Sequence, residues 1–236
     1  MKLTTRKYFV ICFCILMLSS CKKDFLDKNP RTDLSLPDEV KDLWALLDND
    51  NIMNLTPTMG ELSSDNYFIT FQYWQVLPQK HERNSYIWAK DIYAGQQNVD
   101  DWSRSYAQVL YANTVLEALK QIPENASSVA EKKAIRGSAL FFRAYAYYNL
   151  AQIFAPAYDS ATYESDLGVP IRTDPDIGTH VQRHTVKQTY DSILLYLDEA
   201  ENLVYPGIQY ANKNRVSKPA VMALKARVYL SMRAYE

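Results

Sequence analysis

Apolar positions along the chain follow the spacing of amphipathic helices, and few stretches show the alternation of strands. The first helical segment is LPDEVKDLWALLDND, a short one. One side of this helix carries the apolar residues Val40, Leu43, Trp44 and Leu47. Residues 51–98 have no long period, and we predict loops and short helices there.

Four longer helical segments follow. The first begins near Val99 and ends before Pro123, because proline interrupts a helix. The second begins at Ser128 and ends before Pro156. Ser128 and Glu131 have the spacing of a capping box, in which two side chains satisfy the free N–H groups of a helix start. These signals predict two long helices that are neighbours in the chain.

The third and fourth long helices are also marked at their starts. Thr185 and Gln188 form another capping-box pattern, and Ser217 precedes a helix with Pro219 in its first turn. A loop rich in Pro, Asp and Gly, residues 156–184, separates the two halves of the set. Two consecutive helix pairs predict an all-α fold of irregular tetratricopeptide-like hairpins with long loops.

Each long helix has a predicted buried face. In the first it is Trp102, Tyr106, Val109, Asn113, Leu116 and Leu119 or Lys120; in the second it is Ile135, Ala139, Phe142, Ala146, Leu150 and Ile153. In the third it is Tyr190, Ile193, Leu197, Ala200 and Val204; in the fourth it is Ala220, Ala223, Leu224, Arg227 and Leu230. Alanines between large residues allow two helices to approach closely.

The N-terminus has the pattern of a leader. A short basic segment precedes 11 apolar residues, YFVICFCILML, which are too few to span a bilayer as a helix. LSSC, ending at Cys21, resembles the bacterial lipobox, in which the cysteine is acylated and becomes the first mature residue. We predict a lipoprotein signal peptide at 1–20, a tether at 21–36 and a helical domain at 37–236. The alternative is a plain secretory leader with an incidental cysteine.

Composition narrows the function classes. The formal net charge is −1, and no run of Lys and Arg interleaves with aromatic residues, so nucleic-acid binding has no support. The three cysteines are Cys12, Cys14 and Cys21, so a chain cut before Cys21 has no thiol pair for a disulfide or zinc. The 18 tyrosines provide amphipathic surface for cores and sugar sites.

The best candidates for sugar binding lie between residues 66 and 102. Sugars are bound by aromatic rings that stack on C–H groups and by polar side chains that hydrogen-bond the hydroxyls. The candidate residues are Tyr73, Trp74, Trp88 and Tyr93, with Asn66. The alternative is that these aromatic side chains pack a core between irregular segments.

Other chemistry has weaker signals. His180 and His184 are four residues apart, but both precede the predicted helix, so we expect no metal site. Glu61 and Asp65 offer two carboxylates, as glycoside hydrolysis requires, but we favour a turn in which Asp and Asn side chains bond the backbone. The sequence has no nucleophile-elbow, phosphate-loop or dinucleotide motif. We predict neither an enzyme nor a cofactor.

Six segments in order carry a resemblance to a known family. They are CKKDFLDKNP, DDWSRSYAQVLYANTVLEAL, AIRGSALFFRAYAYYNLAQIFA, LGVPI, TVKQTYDSILLYLDEAENL and RVSKPAVMALKARVYLSM. Together they resemble the RagB/SusD family of Bacteroidetes outer-membrane lipoproteins. Family members are usually about twice as long, so the chain resembles their N-terminal half.

The resemblance implies a fold and a role. The fold is tetratricopeptide-like helix pairs whose long loops form the binding face. The role is a lipid-anchored protein, exposed on the outer membrane, that captures oligosaccharides or polysaccharides and delivers them to a SusC-type TonB-dependent transporter. The alternatives are a protein-binding helical-repeat scaffold of the outer membrane that binds no sugar, and a glycosidase.

Overall fold

The computed structural model describes residues 37–97, 99–123 and 128–235. These residues contain nine helices and one pair of short strands. The short helices are α1 (Val40–Leu47), α2 (Asp50–Met53), α3 (Met59–Leu62), α4 (Phe71–Val76) and α5 (Lys80–Tyr86). The long helices are α6 (Asp100–Gln121), α7 (Val129–Phe154), α8 (Val186–Glu201) and α9 (Lys218–Ser231). The strands β1 (Leu167–Pro170) and β2 (Arg183–Thr185) pair in antiparallel fashion. The predicted leader, Cys21 and the tether lie outside the described residues.

The long helices form consecutive antiparallel pairs. At one end of α6 the ring of Trp102 lies 5.0 Å from that of Phe154, the last residue of α7. Nearer the middle, Arg143 Nη1 donates to Asn113 Oδ1 at 3.1 Å. The start of α6 thus lies beside the end of α7, and positions further along α6 meet positions further back in α7, as in an antiparallel pair. The predicted all-α fold of irregular helix pairs with long loops is confirmed.

The same antiparallel order continues through α8 and α9. Gln152 near the end of α7 donates to the hydroxyl of Tyr190 at 2.8 Å, near the start of α8. Near the end of α8, Glu201 accepts from Lys225 of α9 at 2.9 Å. No helix among the described residues is long and apolar enough to cross a membrane.

Helix α7 is the centre of the core because it packs against both α6 and α8. Its buried residues include a series of alanines, which keep the neighbouring backbones close. Tyr147 is completely buried, and its hydroxyl donates to the carbonyl of Arg172 and accepts from the N–H of Arg172, both at 2.7 Å. Tyr106 of α6 donates to the carbonyl of Pro170 at 2.8 Å. These two tyrosines therefore hold the end of β1 and the segment just after it.

Alkaline pH is expected to destabilise the fold through these two tyrosines. Burial raises the pKa of both Tyr106 and Tyr147 far above the ordinary value of 10.0. Above about pH 10 the unfolded chain releases these protons and the native chain keeps them, so the free energy of unfolding falls as pH rises. Absorbance at 295 nm should show two tyrosines ionising only as the protein unfolds. Ionisation of all tyrosines before the loss of far-UV circular dichroism would contradict this expectation.

Two predicted buried faces are wrong in part. In α6, Trp102 and Leu116 are only half-buried, whereas the polar residues Asp101 and Gln108 are buried. Gln108 Nε2 donates to three backbone carbonyls in residues 52–55, at 2.8 to 3.2 Å. Tertiary hydrogen bonds therefore allow polar side chains to enter the core, which a hydrophobic pattern does not register.

Helix α9 differs more. Its buried residues are Val221, Leu224 and Val228, and Leu224 alone belongs to the predicted face. Leu230 is 64% exposed. Both sides of this helix are apolar, so periodicity does not choose between them. In the observed orientation, Lys225 of α9 forms ion pairs with Asp198 and Glu201 of α8.

Of the two predicted capping boxes, the one at Thr185 is confirmed. Thr185 Oγ1 accepts from the N–H of Gln188 at 3.1 Å, and Gln188 Oε1 accepts from the N–H of Thr185 at 2.9 Å. The box at Ser128 is wrong, since its side chain makes no cap bond. Glu131 instead accepts from the indole of Trp44 at 3.0 Å, which joins α7 to α1.

Candidate functional site

A cavity of about 470 Å³ lies among the short helices of residues 61–82. It is lined by Glu61, Leu62, Asn66, Tyr67, Ile69, Tyr73, Leu77 and Glu82. Two of the five predicted sugar-binding residues, Asn66 and Tyr73, therefore lie in one cavity. The lining combines aromatic rings, an amide and carboxylates, which is the set of groups that sugar recognition uses.

The wall at residues 62–69 is braced by two tyrosines. Tyr67 donates its hydroxyl hydrogen to the carbonyl of Leu62 at 2.7 Å. Its ring centroid lies 5.6 Å from that of Tyr86 in α5, and the hydroxyl of Tyr86 accepts from the N–H of Ile69 at 3.2 Å. This loop is thus held in shape without a ligand, which lowers the entropy cost of binding.

Helix α4 presents Tyr73 to solvent while its neighbour Trp74 holds the helix in place. Thr70 Oγ1 caps the helix by accepting from the N–H of Tyr73 at 3.2 Å. Trp74 is half-buried, its Nε1 donates to the carbonyl of Arg83 at 3.0 Å, and its ring stacks on Phe71 at 5.7 Å. Trp74 therefore joins α4 to α5, and Tyr73 remains 60% exposed.

Trp88 is an exposed ring in a fixed position. Its side chain is 68% exposed, yet its Nε1 donates to the carbonyl of Ser63 at 2.8 Å. Its φ of +52° is in the left-handed region, which is unfavourable for a bulky residue. Such strain in a large exposed aromatic residue is typical of functional positions. The hydrogen bond places Trp88 beside the segment that carries Glu61 and Leu62.

Tyr73 and Trp88 belong to a stretch of the chain, residues 68–88, that is rich in exposed apolar side chains, and we call this set of side chains the exposed aromatic face. It consists of Phe68, Phe71, Tyr73, Val76, Ile87 and Trp88, all more than half exposed. Single exposed apolar residues are normal on a surface, whereas six large ones within 21 consecutive residues favour an interaction site. The exposed aromatic face and the cavity share Tyr73.

Tyr93 has a different environment. Its ring stacks on Phe154 at 6.3 Å, and burial raises the pKa of its hydroxyl. Phe154 also contacts Trp102. Tyr93, in the loop after α5, thus packs against the end of α7, and it is not among the residues that line the cavity.

Helix α6 anchors the cavity to the helical core. The carboxylate of Asp101 accepts from the backbone N–H groups of Thr58 at 2.9 Å and Met59 at 2.8 Å. Those two N–H groups belong to the start of α3, which ends in the cavity-lining residues Glu61 and Leu62. The position of one cavity wall is therefore set by a buried carboxylate in the first turn of α6.

His180 and His184 lie in different environments, and so do Glu61 and Asp65. His184 Nδ1 accepts from the N–H of Ile171 at 3.2 Å, and His180 lies in the exposed loop before β2. Within the described ranges, no three His, Cys, Asp or Glu side chains group as a metal site requires. Glu61 lines the cavity, whereas Asp65 is not part of its lining.

A second cavity, of about 590 Å³, lies between α6 and residues 170–181. Trp102 and Tyr106 are in its lining, although the sequence assigned both to the core. Asn113 Nδ2 donates to the carbonyls of Arg172 and Asp174 at 3.1 and 3.0 Å. The amide of Asn113 thus holds the loop that forms the other wall of this cavity.

Sequence reasoning did not propose Tyr67 and Glu82 as site residues, and it considered Glu61 only as a catalytic group. Tyr67 belongs to the run of aromatic residues without long period, which was the available signal. No sequence signal pointed to Glu82, because it reaches the cavity only when α5 packs against the loop at residues 62–69. Tertiary structure brings together residues that are up to 21 positions apart in the cavity lining.

A family model described as SusD-like, starch-binding and associating with the outer membrane matches residues 24–230. No curated protein sequence is similar enough to count as a match. The resemblance inferred from the six segments is therefore confirmed at the level of the family.

Solved structures share the fold. A putative sugar binding protein from Bacteroides vulgatus superposes with a TM-score of 0.67 at 21% identity, covering 85% of this chain and 44% of that one. A laminarin binding SusD-like protein superposes with a TM-score of 0.59 at 19% identity, covering 80% of this chain and 38% of that one. Surface glycan-binding protein A from Bacteroides fluxus superposes with a TM-score of 0.56 at 16% identity, covering 82% of this chain and 40% of that one. This chain thus spans less than half the length of each.

Proposed function

This chain belongs to the SusD-like family, and from that premise we propose that it is a surface glycan-binding lipoprotein without catalytic activity of its own. The observation that carries the proposal is the exposed aromatic face beside the cavity. Tyr73 and Trp88 offer ring surfaces for stacking on sugars, and Asn66 and Tyr67 offer polar groups for hydroxyls. Trp74 supports the site by joining α4 to α5.

The proposed role places the protein at the outer membrane. Acylation of Cys21 would anchor it, because each buried CH₂ of an acyl chain contributes about 0.8 kcal/mol. Residues 21–36 would then lead from the lipid to the helical domain. The partner is a SusC-type TonB-dependent transporter, to which captured oligosaccharides are delivered. The family description, which includes association with the outer membrane, supports this placement.

Replacing Tyr73 and Trp88 together with alanine is expected to weaken glycan binding by about 30-fold or more. The reason is that a central aromatic side chain contributes about 2 kcal/mol to binding, and both rings are exposed in the free protein. The measurement is affinity electrophoresis of the purified chain in gels that contain starch, laminarin or other polysaccharides. The melting temperature should change little, since exposed rings contribute little to the core.

Tyr210→Ala is the matched control, because Tyr210 is exposed and far along the chain from the site. It should bind as the unmodified chain does. If the double variant binds every retarding polysaccharide normally, the site assignment is wrong. If no polysaccharide retards the chain while it co-purifies with a transporter, the alternative of a protein-binding scaffold is supported. Release of reducing sugar would favour a glycosidase.

A further inference from the structure

We propose that the cavity at residues 61–82 selects uncharged glycans and rejects those that bear carboxylate or sulfate groups. The inference rests on the proposed glycan binding and names the ligand class of the same site. Its basis is the charge of the lining, in which Glu61 and Glu82 are the two ionisable side chains besides tyrosines. Neither lysine nor arginine is among the described lining residues.

The two carboxylates come from two different short helices. Glu82 Oε2 accepts from the N–H of Gln79 at 3.2 Å in the capping box of α5, so its carboxylate has a defined position. Glu61 is exposed in the last turn of α3, whose start is fixed by Asp101. The two negative groups therefore approach the cavity from different helices.

Two basic side chains of α5, Lys80 and Arg83, offset part of this charge but not all of it, because Glu61, Glu82 and Asp65 carry three negative charges. The guanidinium of Arg83 donates to the carbonyl of Leu77, and the carbonyl of Arg83 accepts from Trp74. Lys80 is exposed at the first position of α5 and is not in the lining. Asp65, in the loop that also carries Asn66, adds a further negative charge next to the cavity.

The consequence for ligands follows from charge and hydrogen bonding. Sugar hydroxyls can donate to carboxylates, and charge-assisted hydrogen bonds are stronger than neutral ones. A uronate or a sulfated sugar instead brings a negative charge within a few ångströms of two others. Repulsion between exposed charges at such distances reduces binding by about fivefold or more at low salt, and less as salt screens it.

The test compares each neutral polysaccharide with its own carboxymethylated form, so that the backbone of the glycan is constant. Soluble starch and laminarin are the neutral probes, and affinity electrophoresis at low salt is the measurement. We expect the neutral form to bind at least about fivefold more tightly than the carboxymethylated form. In Glu61→Gln with Glu82→Gln, the difference should fall to about twofold, because the carboxymethylated form binds more tightly once the two negative charges are removed. Binding of the neutral form should weaken, since its charge-assisted hydrogen bonds become neutral ones.

Glu117→Gln with Glu164→Gln is the control, because it removes the same charge away from the cavity. It should keep the full difference. Equal binding of the two forms by the unmodified chain would overturn the inference and leave the proposed function standing. A difference that the Glu61 and Glu82 variants do not reduce would overturn it as well. Binding of neither form would overturn the proposed function, and the inference with it.

Discussion

Gly168→Ala is expected to lower the free energy of unfolding by about 3 kcal/mol, through overpacking of a buried contact. Gly168 lies in β1, which packs on the start of α8. A Cβ at this position would lie 2.7 Å from the carbonyl oxygen of Thr185 and would also overlap the hydroxyl of Thr189. Thr189 Oγ1 already donates to that carbonyl at 2.9 Å. Neither group can move without breaking the capped first turn of α8.

Thermal unfolding followed by circular dichroism measures this effect, and a fall in the melting temperature of about 10 °C is expected. Gly60→Ala is the matched control, because a Cβ on Gly60 meets nothing within 4 Å and the residue lies in α3. That variant should be unchanged or slightly more stable, since alanine favours a helix. A Gly168→Ala variant as stable as the unmodified chain would show that β1 and α8 can separate at little cost.

Asp101→Ala is expected to destabilise the protein by about 3 kcal/mol, since it leaves two backbone N–H groups without an acceptor. Asp101 is 4% exposed, and its carboxylate receives the N–H groups of Thr58 and Met59. Because these groups start α3, glycan binding should also weaken at temperatures where the variant remains folded. Chemical denaturation measures the first effect, and affinity electrophoresis measures the second.

Asp100→Ala provides the control at the adjacent position. Asp100 is exposed and pairs with Arg104 at 3.3 Å, four residues away in the same helix. Such surface pairs contribute less than about 0.5 kcal/mol. If Asp100→Ala and Asp101→Ala have the same small effect on stability, the start of α3 is held by other contacts. If Asp101→Ala lowers stability without affecting glycan binding, the cavity does not depend on this anchor.

The helices were predictable because their signals are local. Thr185 with Gln188, and the prolines at positions 123 and 156, act on the adjacent backbone alone, and the structure has helix ends at those places. The core face of α8 was equally predictable, since Tyr190, Ile193 and Leu197 are all buried. Where both sides of a helix are apolar, as in α9, the sequence did not specify which side is buried.

The site was predictable only in part. The sequence identified the aromatic run that contains Tyr73 and Trp88, because aromatic rings with polar side chains nearby are the groups that bind sugars. It left open the alternative that these rings pack a core. It did not separate the exposed Tyr73 from the half-buried Trp74 beside it. That distinction depends on which ring meets Arg83 and Phe71, and those contacts form only when α4 packs against α5.

The sequence by itself determined the helix pairs, most helix boundaries and the segment that carries the candidate site, since each depends on residues a few positions apart. Only the tertiary structure decided which polar residues are buried and which aromatic rings remain exposed. Asp101 is the clearest case: it is a charged residue in a helix start, and it is buried because α3 brings two N–H groups to it. A hydrogen bond between distant segments compensates the desolvation of that carboxylate, and no local pattern records such a partner.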